Sequence, residues 1–471
     1  MSLIEDSPVN SSSSDDFAAF LDAELDSVSD TSPEPEEKEK EEEEEEDDDE
    51  EEEDDDENYK YLIERTKRRK ISISETTEEP NGSTSHTEQE IVLEASGKEE
   101  TCTHPGFIGG MCIKCGEKTD TDNQSGVAFG YIHKDLRLAN DEITRLRDRD
   151  YKNLLRHKKL YLVLDLDHTL LNSTRFSDII QEEGYLLNQN DPMQDALKGS
   201  LFKLPSMHMV TKLRPFVHTF LKEASKLFEM YIYTMGERSY ALEMANLLDP
   251  QKVYFDSRVI AQNDCTQRHQ KALDVVLGQE NAVMILDDTE MVWAKNKDNL
   301  ILMERYHFFA SSCRQFGYRS KSLSELRSDE SEDDGALATA LKVLKRVHTM
   351  FYDSELGDNF TGRDARQMLR AVRSEVLKGC KIVFSRIFPT QFQAENHQLW
   401  MVAERLGATC TTEVDASVTH VISTDIGTEK SRWAVQEKKF LVEPRWLEAA
   451  NFRWERQPEE KFPVKEVKDK H

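Results

Sequence analysis

The stretch YLVLDLDHTLL, residues 161–171, decides the fold. Its opening apolar residues predict a buried strand of a parallel sheet, and such sheets place their ligands at the carboxyl ends of the strands. Asp165 and Asp167 follow there, and side chains two positions apart in an extended chain point to the same face. Two crowded carboxylates favour a cation between them or protonation of one, and hence a metal-assisted reaction. The alternative is a strand that ends in an Asx-type turn.

Two apolar runs downstream also end in polar residues. FEMYIYTMG carries Thr234 near its end, and the apolar part of NAVMILDDTEMVW ends in Asp287 and Asp288. Between them lies Lys271 in QRHQKALDVV, which we interpret as a helix. Taken singly, Thr234 is equally a helix cap, Lys271 a surface residue and the Asp pair a turn.

Together these segments resemble the four motifs of haloacid dehalogenase-type phosphatases, in the order of that family. The His-Thr-Leu ending of DLDHTLL is similar to the branch that dephosphorylates the C-terminal domain of RNA polymerase II. The resemblance implies an α/β fold with a doubly wound, mostly parallel sheet. It also implies a reaction through an aspartyl-phosphate, in which a carboxylate nucleophile splits one displacement into two easier steps.

The resemblance implies a role for each motif residue. Asp165 would form the aspartyl-phosphate, and Asp167 would protonate the leaving serine oxygen and later activate water. Thr169 would support the loop at the bound substrate. Thr234 and Lys271 would bind the transferring phosphoryl group.

A Mg²⁺ site is implied by the same resemblance, and Mn²⁺ or Co²⁺ can substitute. Mg²⁺ prefers carboxylate, carbonyl and water ligands, and it allows an anionic nucleophile to approach a phosphate dianion. The implied ligands are Asp165, Asp167, Asp287 and Asp288, with Asp288 directly on the metal.

Two residues depart from the resembling family. Many members have Arg after the Asp pair, where this chain has Thr289, and Gly after Leu-Arg-Pro, where this chain has Phe216. Arg214 in KLRPF is a candidate for orienting substrate or the active-site loops, with a surface salt bridge as the alternative. For Trp293 we expect a packing role. The departures put substrate detail in question, and the reaction class is unaffected.

Charge is distributed unevenly along the 471 residues, a length that holds about two or three domains. Residues 1–100 contain 38 acidic and 9 basic side chains, so they carry −29 of the net charge of −31. We predict a disordered acidic N-terminal tail there, because it has few apolar residues to bury. The tail either keeps the protein soluble or binds basic partners.

The cluster RTKRRK, Arg65–Lys70, follows the unbroken acidic run Glu41–Glu57. A basic cluster in an exposed region indicates nuclear import or a nucleic-acid patch, and otherwise it balances local charge. We favour import and therefore the nucleus, and we expect no direct nucleic-acid binding. No stretch resembles a transmembrane span or a secretory signal, so a membrane partner is not expected.

Residues 101–120 form a Cys/His segment. Its spacing, Cys-x-His followed by Cys-x-x-Cys, supplies four soft ligands, which is enough for one tetrahedral zinc ion. Reduced thiols in a small hairpin are the alternative, and the Gly109-Gly110 pair would let the chain turn back in either case. A bound zinc would be structural, because four protein ligands leave no open position. The ligands would be Cys102, His104, Cys112 and Cys115.

The remaining chain divides into three parts. A catalytic domain spans roughly 125–325, with a helix in its first part and an inserted segment, Phe176–Val210, that is either a cap or a loose loop. Residues 326–374 contain an acidic break, SDESEDDG, and a connecting helix in GALATALKVLKRVHTMFYD. Residues 375–465 alternate strands and helices.

This last unit resembles a BRCT domain. VTHVIS, then a helix, then VEPRWL with Trp446 are similar to that family, which is α/β, and most tryptophans here should be core. BRCT domains bind partners, often phosphopeptides. Ser385 and Lys430 lie near the positions of a phosphate pocket, although ordinary surface residues are the alternative.

The resemblance implies a nuclear, Mg²⁺-dependent protein serine/threonine phosphatase that acts on the phosphorylated heptad repeats of RNA polymerase II. General transcription factor IIF or other transcription proteins are further expected partners, through the BRCT domain or the acidic tail. Two alternatives stay open: a scaffold that binds phosphorylated polymerase without turnover, and a small-molecule phosphatase of the same superfamily.

Overall fold

The computed structural model describes residues 102–118, 126–188, 191–193, 197–353, 360, 362–389 and 393–465. The acidic tail and the basic cluster predicted above lie outside the described residues. Among the described residues, no helix combines the length and the apolar character needed to cross a bilayer.

A five-stranded parallel sheet forms the centre of the catalytic part. Its order is β10-β9-β5-β11-β12, and the middle strands are apolar because they are buried. These strands are β5 (Leu160–Leu164), β9 (Phe228–Tyr233), β10 (Val259–Ile260), β11 (Val283–Asp287) and β12 (Leu300–Leu302). The predicted parallel α/β fold is confirmed.

Register brings the ends of the three motif strands together. Leu164 on β5 pairs with Ile232 on β9 and with Leu286 on β11. The next residues, Asp165 and Asp287, therefore lie side by side at the carboxyl edge of the sheet. The backbone N–H of Asp165 donates to the carbonyl of Leu286 at 3.0 Å.

A small antiparallel sheet precedes the catalytic core, in the order β2-β1-β4-β3. Gly109 and Gly110 have φ of 55° and 81°, so they turn the chain back as predicted. The pairing of β1 with β4 attaches the Cys/His segment to the rest of the protein. The elements are β1 (Gly106–Ile108), β2 (Met111–Cys112), β3 (Val127–Ala128), β4 (Leu136–Leu138) and the following helix α1 (Asn140–Arg156).

The segment inserted between β5 and β9 contains an antiparallel sheet, in the order β6-β8-β7. Its strands are β6 (Leu171–Arg175), β7 (Leu201–Leu204) and β8 (Met209–Leu213). A separate cluster of buried residues supports it, including Tyr185, Leu186 and Phe308. Within the predicted insertion Phe176–Val210, the described residues include β7 and the start of β8, so this part is an ordered element rather than a loose loop.

Helices complete the catalytic core and continue it beyond the predicted boundary at residue 325. The connecting helix predicted within residues 335–353 is present as α5, Ala336–Phe351. Its apolar side chains pack in the same core as the central sheet. The helices are α2 (Val217–Ala224), α3 (Arg238–Leu248), α4 (Ala310–Gln315), α5 (Ala336–Phe351) and α6 (Ala365–Arg373).

The C-terminal unit is a second α/β domain with a parallel sheet in the order β14-β13-β15-β16. Trp400, Trp446 and Trp454 are buried, as expected. Gly407, with φ of 90°, ends a helix where any side chain would meet the Ser374 carbonyl. The elements are β13 (Lys381–Ser385), α7 (Gln398–Arg405), β14 (Thr409–Thr411), β15 (His420–Ser423), α8 (Glu429–Gln436), β16 (Phe440–Val442) and α9 (Arg445–Arg453).

Candidate active site

A buried lysine joins two carboxylates at the carboxyl edge of the central sheet. The Lys271 Nζ lies 2.6 Å from Asp165 Oδ1 and 2.7 Å from Asp287 Oδ2. The Lys271 side chain is only 3% exposed. Burial by itself would lower the pKa of Lys271, but the charges of Asp165 and Asp287 outweigh it and raise the pKa. Lys271 is therefore a fixed positive charge.

The prediction of a helix around Lys271 is wrong. Lys271 lies in an irregular segment, followed by a short 3₁₀ turn at Leu273–Val275. Its backbone N–H donates to the carbonyl of Val292 at 2.9 Å. This tertiary hydrogen bond, to the 3₁₀ turn Glu290–Trp293 that follows β11, fixes the backbone where local sequence preference would allow a helix.

Three carboxylates meet at this edge. Ligand atoms of Asp165, Asp287 and Asp288 all lie within 4.8 Å of one another. Burial raises the pKa of Asp165; the neighbouring carboxylates raise it further, and Lys271 opposes this effect. Excess negative charge in a buried cluster is relieved by a cation. The possible ligands are carboxylate oxygens, which suit a hard divalent ion.

Besides Lys271, two further donors hold Asp287 in place. The backbone N–H of Thr289 donates to its Oδ1 at 2.8 Å, and the indole Nε1 of Trp293 donates to its Oδ2 at 2.8 Å. Trp293 is fully buried, as expected of a packing residue. Its hydrogen bond to Asp287 is an additional role that the sequence did not indicate.

Asp167 lies at the same edge, outside the three-carboxylate group of the described residues. The Tyr240 hydroxyl on α3 donates to Asp167 Oδ1 and lies 2.9 Å from Ser173 Oγ. Burial, followed by the charge of Asp167, raises the pKa of Tyr240, so the phenol keeps its proton. Sequence reasoning missed Tyr240, which is 73 residues from Asp167.

The two motif threonines are buried next to the carboxylates. Thr169 Oγ1 donates to Asp288 Oδ1 at 3.4 Å, which links the turn after Asp167 to β11. Thr234 follows β9, and its Oγ1 accepts the N–H of Gly236 at 3.0 Å. Both residues are placed at the edge where the sequence predicted them.

Arg214 is buried and supports the loop that follows β5. Its guanidinium donates to the carbonyls of His168 at 3.3 Å and Thr169 at 3.0 Å, and to the carbonyl of Glu304 at 2.8 Å. It also forms a two-pronged ion pair with Glu330, at 2.9 and 2.7 Å. These contacts favour the loop-orienting role, and the ion pair is buried rather than on the surface. Direct contact with substrate stays a prediction.

Residues 328–334, here called the acidic segment, do more than separate two domains. Asp329 pairs with the buried Lys212 at 2.6 Å and accepts the Tyr306 hydroxyl at 2.8 Å. Glu330 pairs with the buried Arg214. The segment thus provides counterions for two cations on and after β8.

Arg305 lies beside Asp288. Its Nε donates to Asp288 Oδ2 at 2.5 Å, and its NH2 donates to Thr289 Oγ1 at 3.1 Å. The guanidinium stacks on the Phe316 ring, 4.2 Å from the ring centroid. Thr289, noted as a departure from the resembling family, is therefore one of the residues that Arg305 contacts. No sequence signal indicated Arg305.

The four residues of the Cys/His segment come together as predicted from their spacing. Their ligand atoms all lie within 4.8 Å of one another, with Cys102 Sγ 3.8 Å from Cys112 Sγ. Burial alone would raise the pKa of the Cys112 thiol, but hydrogen bonds from Cys115, Lys114 and His104 lower it to about 6. A thiolate at this position is a better metal ligand than a thiol.

The two residues suggested for a BRCT phosphate pocket both have partners within the domain. The Ser385 hydroxyl is buried and lies 2.8 Å from Thr428 Oγ1, the residue that caps α8. Lys430 Nζ donates to the carbonyl of Thr412 at 2.6 Å. Phosphate binding by this pair stays a prediction.

Comparison with known families assigns each of the two domains to a family. Residues 160–334 match the NLI interacting factor-like phosphatase family, and residues 372–450 match the BRCA1 C Terminus (BRCT) domain. Both domain types agree with the resemblances stated from sequence.

Two plant proteins are similar along much of the chain. RNA polymerase II C-terminal domain phosphatase-like 4 of Arabidopsis thaliana is 57% identical over 99% of this chain and 98% of its own length. RNA polymerase II C-terminal domain phosphatase-like 3 of the same organism is 40% identical over 69% of this chain, and the match spans 27% of that longer protein.

Solved structures agree with the sequence relatives. The structure of Fcp1, an essential RNA polymerase II CTD phosphatase, covers 68% of this chain and 100% of its own, with a TM-score of 0.56 and 25% identity. A fission yeast Fcp1 variant bound to beryllium fluoride matches with the same TM-score and 26% identity. From these similarities and the paired domains, we conclude that the chain belongs to the family of RNA polymerase II C-terminal domain phosphatases.

Proposed function

We propose that this protein hydrolyses phosphoserine and phosphothreonine esters in the heptad repeats of RNA polymerase II, and that it does so in the nucleus. The observation that carries the proposal is the buried Lys271 between Asp165 and Asp287, next to Asp288, at the edge of a parallel sheet. The relatives named for this activity support the choice of substrate.

Asp165 and Asp167 divide the chemistry. In the first step an Asp165 oxygen bonds to phosphorus while the bond from phosphorus to the serine oxygen breaks, and Asp167 gives that oxygen a proton. In the second step Asp167 takes a proton from water, whose oxygen displaces the Asp165 carboxylate and releases phosphate. Tyr240 holds Asp167 through its hydroxyl, so the acid/base group is oriented for both steps.

Lys271 supplies fixed charge to the reacting group. Its ammonium bonds the nucleophile Asp165 and would also attract the phosphoryl oxygens as charge develops. Asp165, Asp287 and Asp288 would hold Mg²⁺, or Mn²⁺ or Co²⁺ in its place. When bound, the ion supplies positive charge that lets an anionic carboxylate approach a phosphate dianion. Asp167 as a further ligand stays a prediction.

The BRCT domain would serve as a docking module. A module that binds the polymerase or a transcription protein raises the effective concentration of a repetitive tail at the catalytic carboxylates. General transcription factor IIF is a partner that we propose on the same grounds, through the BRCT domain or the tail.

The first experiment measures phosphate release from a phosphorylated heptad peptide by the full chain. Asp165→Asn is expected to lower kcat by at least about a thousandfold, because the nucleophile is lost. The control is Asp298→Asn, since Asp298 is exposed and pairs with the exposed Arg370. Peptides phosphorylated at single serines then give the specificity.

Three outcomes of this assay separate the alternatives. Turnover that depends on Asp165 and stops in chelator supports the proposal. Binding of the peptide by the unmutated protein without turnover supports the scaffold. Faster hydrolysis of a panel of phosphorylated metabolites than of the peptide supports a small-molecule phosphatase.

We also propose that the Cys/His cluster binds one structural zinc ion. The four soft ligands, two of them in a Cys-x-x-Cys turn, support a tetrahedral site. Elemental analysis of the protein grown in zinc-replete medium should give one zinc per chain. Cys112→Ser should lose that zinc and melt at a lower temperature, whereas Cys410→Ser, in the BRCT domain, should keep it. A zinc-free protein with the same melting temperature in chelator contradicts this proposal.

A further inference from the structure

Arg305 is not one of the motif residues, but its cationic side chain contacts Asp288. The other positive charge of the cluster, Lys271, is engaged between Asp165 and Asp287. Asp288 instead receives Arg305 Nε at 2.5 Å. The guanidinium therefore lies at the edge of the carboxylate cluster, next to the position where the substrate phosphate would bind.

The Arg305 guanidinium has a fixed plane and a free edge. Stacking on Phe316, at 4.2 Å, holds the plane. Nε and NH2 are used by Asp288 and Thr289, while NH1 has no hydrogen bond to any residue that the structure describes. The side chain is 25% exposed and NH1 is not among the described buried polar atoms that lack a partner, so that edge reaches solvent. A planar guanidinium that is held in place and has one open edge can bind a phosphate dianion.

We propose that Arg305 is a phosphate-binding residue of the active site, held by Asp288 until a divalent cation takes that carboxylate. The inference rests on the proposed function, because it assumes a phosphorylated substrate. Arg305 Nε and the Thr289 hydroxyl both donate to Asp288 Oδ2, so a cation that bound through this oxygen would have to displace Arg305. Cation binding by Asp288 therefore competes with the ion pair between Asp288 and Arg305. Once released, the Arg305 guanidinium is free to bind phosphate.

The competition gives a test that does not need turnover. Calorimetric titration of Mn²⁺ alone should show severalfold tighter binding by Arg305→Gln than by the unmutated protein, since Asp288 is then unpaired. In saturating Mn²⁺, the affinity of Arg305→Gln for inorganic phosphate should fall by about tenfold to a hundredfold, as for loss of a hydrogen bond to a charged group. Arg305→Lys keeps the charge without the fork and should recover part of the phosphate affinity.

Turnover of two peptides identifies which phosphate Arg305 binds. An equal loss of kcat/KM in Arg305→Gln for singly and doubly phosphorylated peptides assigns it to the phosphate being removed. A loss confined to the doubly phosphorylated peptide assigns it to a neighbouring phosphate. The control is Arg314→Gln, since Arg314 is exposed and, among the described residues, its side chain donates to the backbone carbonyl of Asp178.

Unchanged Mn²⁺ and phosphate affinities in Arg305→Gln overturn the inference. If the variant also turns over both peptides normally while Asp165→Asn does not, the proposed function stands without it. If the unmutated protein shows no turnover but binds phosphate through Arg305, the proposed function fails and the binding role of Arg305 stands.

Discussion

Lys271→Met is expected to remove catalysis and to destabilise the folded protein by about 3–5 kcal/mol, the usual cost of deleting one partner of a buried ion pair. Without the ammonium, the buried Asp165 and Asp287 face each other with no opposing charge from this side chain. Urea denaturation in chelator measures the stability, and phosphate release from the heptad peptide measures the activity.

The control for this variant is Lys295→Met, because Lys295 is exposed on the segment after Trp293. It should change neither the urea midpoint nor the rate appreciably. Mn²⁺ should stabilise Lys271→Met more than it stabilises the unmutated protein, since a more negative cluster attracts the cation more strongly. An unchanged urea midpoint for Lys271→Met would show that Lys271 is not the counterion of the cluster.

Glu330→Leu is the second change with a large expected effect. It leaves the buried Arg214 without its carboxylate, so we expect a loss of about 3–5 kcal/mol in the free energy of unfolding. The rate should fall as well, because Arg214 fixes the carbonyls of His168 and Thr169, next to Asp167. The double variant Arg214→Met with Glu330→Leu should lose less than the sum of the two single changes.

An exposed pair serves as the comparison for this cycle. Arg370 and Asp298 form an ion pair with both side chains 64% exposed, and its coupling energy should be below about 1 kcal/mol. A coupling between Arg214 and Glu330 that is no larger would refute the role of the acidic segment as a buried counterion.

The sequence predicted the elements that local pattern controls. The apolar runs before Asp165, Thr234 and Asp287 became β5, β9 and β11, because a fully buried parallel strand must be apolar along its length. The ends of these strands meet through sheet register alone. The carboxylates could therefore be placed without knowledge of any side-chain contact.

What the sequence did not predict depends on contacts between distant segments. Tyr240 reaches Asp167 across 73 positions, and Glu330 reaches Arg214 across 116. SDESEDDG reads as a solvated acidic run because a charge run carries no signal of a buried partner. The helix predicted around Lys271 was wrong for the same reason. A hydrogen bond to Val292 fixes the backbone there, and local sequence does not reveal this contact.

The BRCT domain and the catalytic core share a packed boundary. Trp454, which ends α9, packs with the catalytic core and lies under the Arg373 guanidinium at 4.5 Å, while Arg405 pairs with Glu290. A partner that docked on this domain would therefore lie at a fixed distance from the carboxylate cluster. If the docked partner is the polymerase tail, as proposed above, the chain length needed to present one repeat after another would come from the tail itself, and the number of repeats between docking point and carboxylates would limit which repeats can react.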